Sequence, residues 1–296
     1  MYNFVYHILK CLSYLPFGIL YFFADLMYFI VYYIVRYRLS VVKNNIKNSF
    51  PEKTEKERQL IVRGFYRHFS NLLVESLKMM SMSDKEMLRR MNYLNYEPLI
   101  EHYQEGRSVI VYTSHFGNWE WLSSFSLLLP KDKPVYQVYK KLRDETSNKI
   151  AYIIRKRFGA VNVEMKELLR KMVALKKTNK QGVFGMISDQ SPRYSSNLHF
   201  VKFLHQATSV LTGSEHLSKK FDLPAYFASI QRVKRGYYTC TFEKITTTPR
   251  EMAEYEITEI YMKMLERDIL RQPQFWLWSH KRWRHKLTTQ HTDIEL

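Results

Sequence analysis

Two side chains five positions apart, those of His115 and Glu120, are the best candidates for chemistry in this sequence. The apolar, β-branched run at 108–114 predicts a buried strand that ends just before the histidine. A glycine and an asparagine then predict a turn, and helical spacing resumes at 119–129. An imidazole at the carboxyl end of a strand can take a proton from an alcohol, and the carboxylate can accept a hydrogen bond from its other ring nitrogen. The pair therefore predicts a general base with an orienting group.

The surroundings of His115 contain no recognisable protein nucleophile. Neither a Gly-x-Ser-x-Gly motif nor a comparable serine or cysteine lies nearby, so the activated hydroxyl is expected to belong to a substrate. A structural alternative is a histidine that simply ends a strand and a glutamate that complements a helix dipole. For an isolated pair this structural alternative is the commoner one. Other features of the sequence are therefore needed to distinguish a catalytic pair from a structural one.

Three apolar runs predict buried strands, and each run ends in a polar or charged residue. They are the runs at 108–114, 134–139 and 182–188, which lead to His115, Lys140 and Asp189. Carboxyl ends of parallel strands meet at one edge of an open sheet, so these side chains are expected on one rim. Helical patterns lie between and around the strands, and 224–231 and 237–245 predict a strand pair. The sequence thus predicts an α/β fold with a mixed, largely parallel sheet flanked by helices.

Helices are also predicted ahead of the first of these strands. A capping box formed by Thr54 and Glu57 predicts the start of a long helix toward residue 80, which we interpret as scaffold. The region 83–105 is interpreted as two short helices.

An apolar, aromatic segment at 11–35 predicts membrane contact. It is interrupted only at Pro16, Gly18 and Asp25. The part from 17 to 35 can span a bilayer marginally, because a spanning helix needs about 17 to 25 residues. Two membrane arrangements stay open, a tilted signal anchor and an interfacial helical hairpin broken near the proline. The alternative without a membrane is a buried amphipathic helix of a soluble domain.

Basic residues follow this segment at Arg36, Arg38 and Lys43. Because cytoplasmic flanks of membrane segments are enriched in lysine and arginine, the rest of the chain is expected on the cytoplasmic side. We accordingly divide the chain into an N-terminal membrane-anchoring segment, residues 1–42, and a catalytic domain, residues 43–296.

The chain is strongly basic, with 46 lysine and arginine residues against 28 aspartate and glutamate residues and a formal net charge of +18. This balance predicts an acidic partner or substrate, which can be nucleic acid, anionic lipid or an acidic protein. The basic residues are spread along the whole chain without a nucleic-acid-binding signature, which argues against nucleic acid. Cys11 and Cys240 lie far apart and without metal-ligand neighbours, so we expect no disulfide, metal or cofactor.

Further charged residues near the predicted rim are candidates for substrate binding. Lys140 follows the second strand, and Arg155 and Arg157 end the helix predicted at 146–158. They can bind phosphate, or they can be solvated residues that complement a helix C-terminus. Asp189 and Arg193 flank a proline-containing turn after the third strand, where such residues are usually ordinary turn residues.

The block His-Phe-Gly-Asn-Trp-Glu at 115–120 resembles the His-x4-Asp/Glu block of glycerolipid and lipid A acyltransferases, in the glutamate form of the late lipid A acyltransferases. Further blocks resemble that family in the same order along nearly the whole chain. They are the asparagine-rich connector at 43–51 that ends in Phe-Pro, Val-Tyr-Lys-Lys at 138–141, Asp-Gln with Pro-Arg at 189–193, the apolar turn ending in Ala-Thr at 200–208, and Trp-Ser-His-Lys-Arg-Trp at 278–283. The Ala-Thr pair is expected to open a helix, and the alternating aromatic and basic residues of the last block allow either contact with headgroups or packing on the core. The order and spacing of these blocks are more specific than any single block.

This resemblance implies a membrane-bound acyltransferase with a glycerol-phosphate acyltransferase-like core on the cytoplasmic face of the inner membrane. It implies acyl carrier protein as the carrier of the acyl donor and a phosphorylated glycolipid as the acceptor. His115 and Glu120 would be catalytic, and the residues implied in substrate binding are Asn118, Lys140, Arg155, Arg157, Asp189 and Arg193. Lys140 replaces a family arginine, and a lysine presents a point charge where arginine presents a planar fork.

The turn at 200–208 departs from the family pattern at Lys202 and His205, where the family has a proline and a glycine. His205 can be a second base or a surface residue. Two other functions stay open: acyl transfer to another lipid, such as an amino-acid lipid, a lysophospholipid or a pigment ester, and a non-catalytic basic protein that binds membranes.

Overall fold

A mixed sheet of seven strands lies at the centre of the part of the chain that the structure, a computed structural model, describes: residues 2–193 and 198–285. The strands of the described chain are β1 (Met91–Leu94), β2 (Val109–Thr113), β3 (Val135–Tyr139), β4 (Val161–Glu164), β5 (Val183–Ile187), β6 (Phe200–Phe203), β7 (Gln206–Ser209), β8 (Ala225–Lys234) and β9 (Tyr237–Thr246). The order across the main sheet is β1-β9-β8-β2-β5-β3-β4, while β6 and β7 form a separate hairpin. All neighbours in the main sheet are parallel except β8 and β9. The predicted fold class is confirmed.

Helices flank this sheet, some of them packed on other helices and not on the strands. They are α1 (Tyr2–Ser13), α2 (Phe17–Phe29), α3 (Leu39–Ser49), α4 (Glu55–Lys78), α5 (Asp84–Arg90), α6 (Glu97–Gln104), α7 (Glu145–Lys156), α8 (Leu168–Lys177), α9 (Gly213–Phe221) and α10 (Glu256–Arg271). Short 3-10 helices add Trp119–Leu127, Met165–Glu167 and Pro273–Phe275, and a π-helical turn at Ile30–Ile34 continues α2.

Strand β2 shows why the sheet is covered on both sides. All five of its residues are buried, as expected for a central parallel strand between two helical layers. Val109 and Val111 pack into one apolar cluster, and Ile110 and Tyr112 pack into the other. Because successive side chains of a strand point to opposite faces, one short apolar run serves both cores and holds its C-terminal end rigidly at the rim.

The predicted long helix is α4, and its start follows the predicted capping box. The hydroxyl of Thr54 accepts from the amide of Glu57 at 3.3 Å, and the carboxylate of Glu57 accepts from the amide of Thr54 at 2.8 Å. These two bonds satisfy amides that have no partner inside a helix. The helix then runs for 24 residues beneath the turn that carries His115.

The polar segment at 43–51, interpreted as a connector, is largely helix α3. Asparagine is a weak helix former, but tertiary contacts override this preference. Val42 and Ile46 are fully buried one turn apart. The side-chain amide of Asn45 donates to the backbone carbonyls of Trp278 and His280. The predicted division between 42 and 43 falls within this helix, and it stays a prediction.

Several boundaries differ from those that the sequence predicts. The region 83–105, interpreted as two short helices, also contains β1, and β4 was missed, because four-residue strands carry little periodic signal. The helix predicted at 119–129 is a 3-10 helix, Trp119–Leu127. Ala207 and Thr208 belong to strand β7 and do not open a helix.

The N-terminal segment forms α1 and α2, separated at Pro16. Phe17–Ile34 is one apolar helical stretch of 18 residues with mean hydropathy 1.7, and within the described residues it alone is long and apolar enough to cross a membrane. Leu20, Ala24 and Tyr32 are buried on the inner side. The outer side exposes large apolar side chains: Ile19, Phe22, Phe23, Leu26, Phe29, Ile30, Tyr33 and Ile34. These features fit a membrane-associated helix.

Candidate active site

Parallel pairing of β2 with β5 brings two polar residues together at the rim of the sheet. Thr113 is the register partner of Ile187, and the amide of Ser188 extends the ladder by donating to the carbonyl of Thr113 at 3.1 Å. Residues two positions beyond each strand therefore meet. They are His115 and Asp189, and Nδ1 of the imidazole lies 2.7 Å from Oδ1 of the carboxylate.

Asp189 is a buried acceptor for three donors. Its side chain is 2% exposed, and its Oδ2 accepts from the backbone amide of His115 at 3.0 Å and from the indole N–H of Trp276 at 2.8 Å. Burial tends to raise the pKa of Asp189, but the adjacent His115 and these hydrogen bonds outweigh it and hold the pKa below its ordinary value. The carboxylate is therefore ionised at neutral pH.

This arrangement fixes the tautomer of His115. An ionised carboxylate only accepts hydrogen bonds, so Nδ1 must carry the ring proton. Nε2 is then the basic atom, and the side-chain nitrogen of Gln190 lies 3.3 Å from it as a donor. The imidazole keeps 18% exposure, which leaves room for a hydroxyl to approach. A histidine held in this way can act as a general base.

The predicted contact between Glu120 and His115 is corrected by the structure. Both oxygens of Glu120 accept from Arg155, at 2.9 Å from Nε and 2.7 Å from Nη2, and the imidazole contacts Asp189. A guanidinium presents a planar fork that fits a carboxylate, and two charge-assisted bonds are stronger than one bond to a neutral ring. The Glu120 and Arg155 side chains are 20% and 21% exposed, so this pair remains open to a bound substrate.

Asn118, predicted to bind substrate, is fully buried, and its side chain stabilises the turn after β2. Its Nδ2 donates to Glu75 at 2.8 Å, and its Oδ1 accepts from the amide of Trp121 at 3.3 Å. Both polar atoms of the side chain are thus engaged within the protein. Asn118 caps the 3-10 helix, and this structure leaves it no surface for a substrate.

The other predicted binding residues lie in different surroundings. Arg157 is exposed and donates to the carboxylate of Asp84 at 3.2 Å and to the carbonyl of Met82 at 2.9 Å, so it joins α7 to α5. Lys140 is exposed directly after β3, and Arg193 is exposed at the last described residue before the gap at 194–197. A role for these two cations in binding phosphate stays a prediction.

The C-terminal tryptophan-rich segment forms one wall of the site. The amide of Leu277 donates to the carbonyl of His115 at 3.1 Å, and the carbonyl of Phe275 accepts from the amide of Gly117 at 3.0 Å. Trp276 also donates to Asp189, as described above. The sequence left open whether this segment contacts headgroups or packs on the core. Trp276 and Trp278 are buried, so packing on the core is correct for both.

Helix α4, predicted to be scaffold alone, lies directly beneath the His115 turn and contacts it through two polar side chains. His68 and Glu75 lie at helical spacing among buried apolar residues, and both contact the His115 turn. Nε2 of His68 donates to the carbonyl of Gly117 at 3.1 Å. Polar residues on the buried stripe of an amphipathic helix are the signal that could have found them.

His68 gives the folded protein a specific dependence on pH. Burial and the charge of Arg232 lower the pKa of His68 to about 3, although its bond to Gly117 opposes the shift. The unfolded chain takes up this proton near pH 6.5, so the folded state loses stability as the pH falls below that value. Between pH 6.5 and pH 4.5 the loss from this residue is expected to be about 2 kcal/mol.

Urea unfolding across this pH range measures the effect. The variant His68→Gln keeps an amide donor for Gly117 and cannot titrate, so its stability should fall less steeply than that of the wild type. His216→Gln, which removes an exposed histidine, is the matched control and should follow the wild type. Equal slopes for His68→Gln and the wild type would refute the assignment of His68 as a buried neutral histidine.

A family model described as bacterial lipid A biosynthesis acyltransferase matches residues 1–285. The matched range includes all the site residues described above. A search of curated proteins finds no match. The family match confirms the resemblance that the sequence motifs indicate.

Proposed function

Since this chain belongs to the bacterial lipid A biosynthesis acyltransferase family, a family of acyltransferases, we propose which transfer it performs. The protein moves a fatty acyl chain from the thioester of acyl carrier protein to a hydroxyl of a lipid A precursor. The observation that supports this most directly is the 2.7 Å contact between His115 and Asp189 at the rim of the sheet. It provides a base for a substrate hydroxyl where no protein nucleophile is needed.

In the proposed reaction, Nε2 of His115 takes the proton of the acceptor hydroxyl as its oxygen attacks the thioester carbonyl. Asp189 stabilises the imidazolium that forms. The tetrahedral intermediate collapses with cleavage of the carbon–sulfur bond, and the imidazolium returns the proton to the departing sulfur. The products are an ester of the acceptor and a free thiol on the carrier, so protons and electrons balance.

Glu120 has a revised role in this proposal. Arg155 holds its carboxylate in a fixed position, and both side chains are partly exposed. We place this pair beside the bound substrate, where the carboxylate can accept from a hydroxyl and the guanidinium can attract phosphate. Asp189 replaces Glu120 as the group that orients the imidazole.

The proposed partners agree with the charge and the apolar surface of the protein. A net charge of +18 favours an acidic carrier protein and a phosphorylated acceptor. The family is typically membrane-associated, and the exposed apolar side of α2 offers a surface for the inner membrane. Arg36 and Arg38 follow that helix, which favours a catalytic domain on the cytoplasmic face.

Transfer of a radiolabelled dodecanoyl group tests this function. The purified 296-residue chain in phospholipid vesicles receives dodecanoyl acyl carrier protein and a panel of acceptors: a lipid A precursor, a lysophospholipid and an N-acyl amino acid. Ester formation on the lipid A precursor is the expected result. Transfer only to another acceptor would keep the chemistry and overturn the proposed acceptor. Thioester that survives unchanged with every acceptor would favour a non-catalytic membrane-binding protein.

A further inference from the structure

Glu75 is a fully buried carboxylate on α4 that joins four elements of the protein at one point. Its Oε2 accepts from Nδ2 of Asn118 and from the hydroxyl of Tyr238, each at 2.8 Å. Its Oε1 accepts from the hydroxyl of Tyr21 at 2.9 Å. A buried carboxylate is costly unless it is hydrogen bonded, so these three donors are expected to stay in place together. The bonds join α4 to α2, to β9 and to the His115 turn.

The bond to Asn118 determines the shape of the turn after β2. Asn118 caps the 3-10 helix through the amide of Trp121, and the indole N–H of Trp121 donates to the backbone carbonyl of Glu75 at 3.3 Å. Glu75 therefore contacts both residues of this cap, Asn118 through its side chain and Trp121 through its backbone carbonyl. His115 lies three residues before Asn118, so a shift of the cap moves the imidazole relative to Asp189.

The bond to Tyr21 extends the same network to the apolar helix α2. One turn further along that helix, Asp25 pairs with Arg235 at 2.8 Å, and Arg235 also donates to the side chain of Asn71 on α4 at 2.7 Å. These contacts fix α2 on α4 in one register. The position of α2 and the position of the catalytic turn are thus set by a shared carboxylate.

We propose that Glu75 is a positioning residue for acyl transfer. It holds the His115 turn in place through Asn118, and it links this turn to helix α2 through Tyr21. The proposal rests on the proposed acyltransferase function. Glu75 does not contact the substrate, so its removal is expected to change kcat and to leave KM for the acyl thioester within about threefold.

A double-mutant cycle separates positioning from general destabilisation. Glu75→Ala and Asn118→Ala are each expected to lower kcat by about 100-fold, because a small misplacement of a catalytic group has effects of this size. If the two residues act as one unit, the double variant should also lose about 100-fold, whereas independent effects would multiply to about 10⁴-fold. Multiplied effects, or full kcat in a folded Glu75→Ala variant, would overturn the proposal.

Conservative variants cover the case in which Glu75→Ala does not fold. Glu75→Gln keeps an oxygen for Asn118 and Tyr238, and its amide N–H can donate to the hydroxyl of Tyr21, which then accepts. All three contacts can therefore persist, and the variant should retain at least about a third of kcat. Tyr21→Phe removes one hydroxyl without leaving a cavity and should lower kcat by about threefold to tenfold. Tyr103→Phe, which removes a buried hydroxyl without a hydrogen-bond partner on α6, is the matched control and should not change kcat. Unchanged kcat in Tyr21→Phe would remove the link to α2.

Amide hydrogen exchange tests the same proposal without any assay of transfer. Peptides that cover 115–121 should exchange at least about fivefold faster in Tyr21→Phe than in Tyr103→Phe, because the cap loosens when the carboxylate loses a donor. If the wild type transfers no acyl group but the exchange rates differ as expected, the proposed function fails and the positioning network stands. Equal exchange in the two variants would refute the network.

Discussion

Replacing His115 by alanine is expected to lower the rate of acyl transfer by about 10²–10⁴-fold, the range that general-base catalysis contributes. The imidazole is the group at this rim whose tautomer leaves a basic nitrogen for a substrate hydroxyl. Its removal leaves Oδ1 of the buried Asp189 without this partner, which is expected to cost some stability, so the fold of the variant has to be measured as well. Initial rates with dodecanoyl acyl carrier protein and a lipid A precursor measure the loss, and circular dichroism shows whether the variant is folded.

His205 provides the control for this experiment, because the sequence also allowed it to be a second base. It lies exposed in the turn between β6 and β7 with a φ of 61°, and it borders a cavity formed with Lys47, Asn48, Pro51 and Arg58. Asparagine tolerates this left-handed backbone, so His205→Asn should fold normally and keep wild-type activity. Full activity in a folded His115→Ala variant would exclude His115 as the base.

Replacing Asp189 by asparagine is expected to cause a loss of about 10²–10⁴-fold while the fold is kept. Oδ2 accepts from two N–H groups, those of His115 and Trp276, so the oxygen of the new amide must occupy that position. The amide nitrogen then faces Nδ1 of His115 at the position of Oδ1. Nδ1 has to become an acceptor, the ring proton moves to Nε2, and the basic atom faces away from the substrate.

Glu120→Gln is the matched comparison, because it makes the same change of carboxylate to amide at the other candidate orienting residue. Glu120 contacts Arg155 on the partly exposed side of the site and makes no contact with the imidazole. The amide of the variant can still accept a hydrogen bond from a substrate hydroxyl, more weakly than the carboxylate, so the expected loss is about tenfold or less. The two kcat values, measured side by side on folded proteins, decide which carboxylate orients the imidazole. A large loss in Glu120→Gln with full activity in Asp189→Asn would reverse the assignment.

The sequence by itself determined the features that depend on neighbouring residues. The apolar run of β2 ending at His115, the turn that follows it and the capping box of α4 are local patterns, and the structure contains all three. Alternation within a short strand predicts burial on two faces without knowledge of its neighbours. The order of short motifs along the chain also indicated the family, and the family match confirms it.

Only the tertiary structure decided which carboxylate contacts the imidazole. Glu120 is five residues from His115, and Asp189 is 74 residues away, so spacing along the chain favoured the wrong partner. The pairing of β2 with β5 follows from the order of strands in the sheet, which no local pattern encodes. Arg155 lies on a separate helix and donates two charge-assisted hydrogen bonds to the carboxylate of Glu120. Which of two carboxylates contacts His115 depends on their distances from the imidazole, and these distances are set only when the sheet has formed.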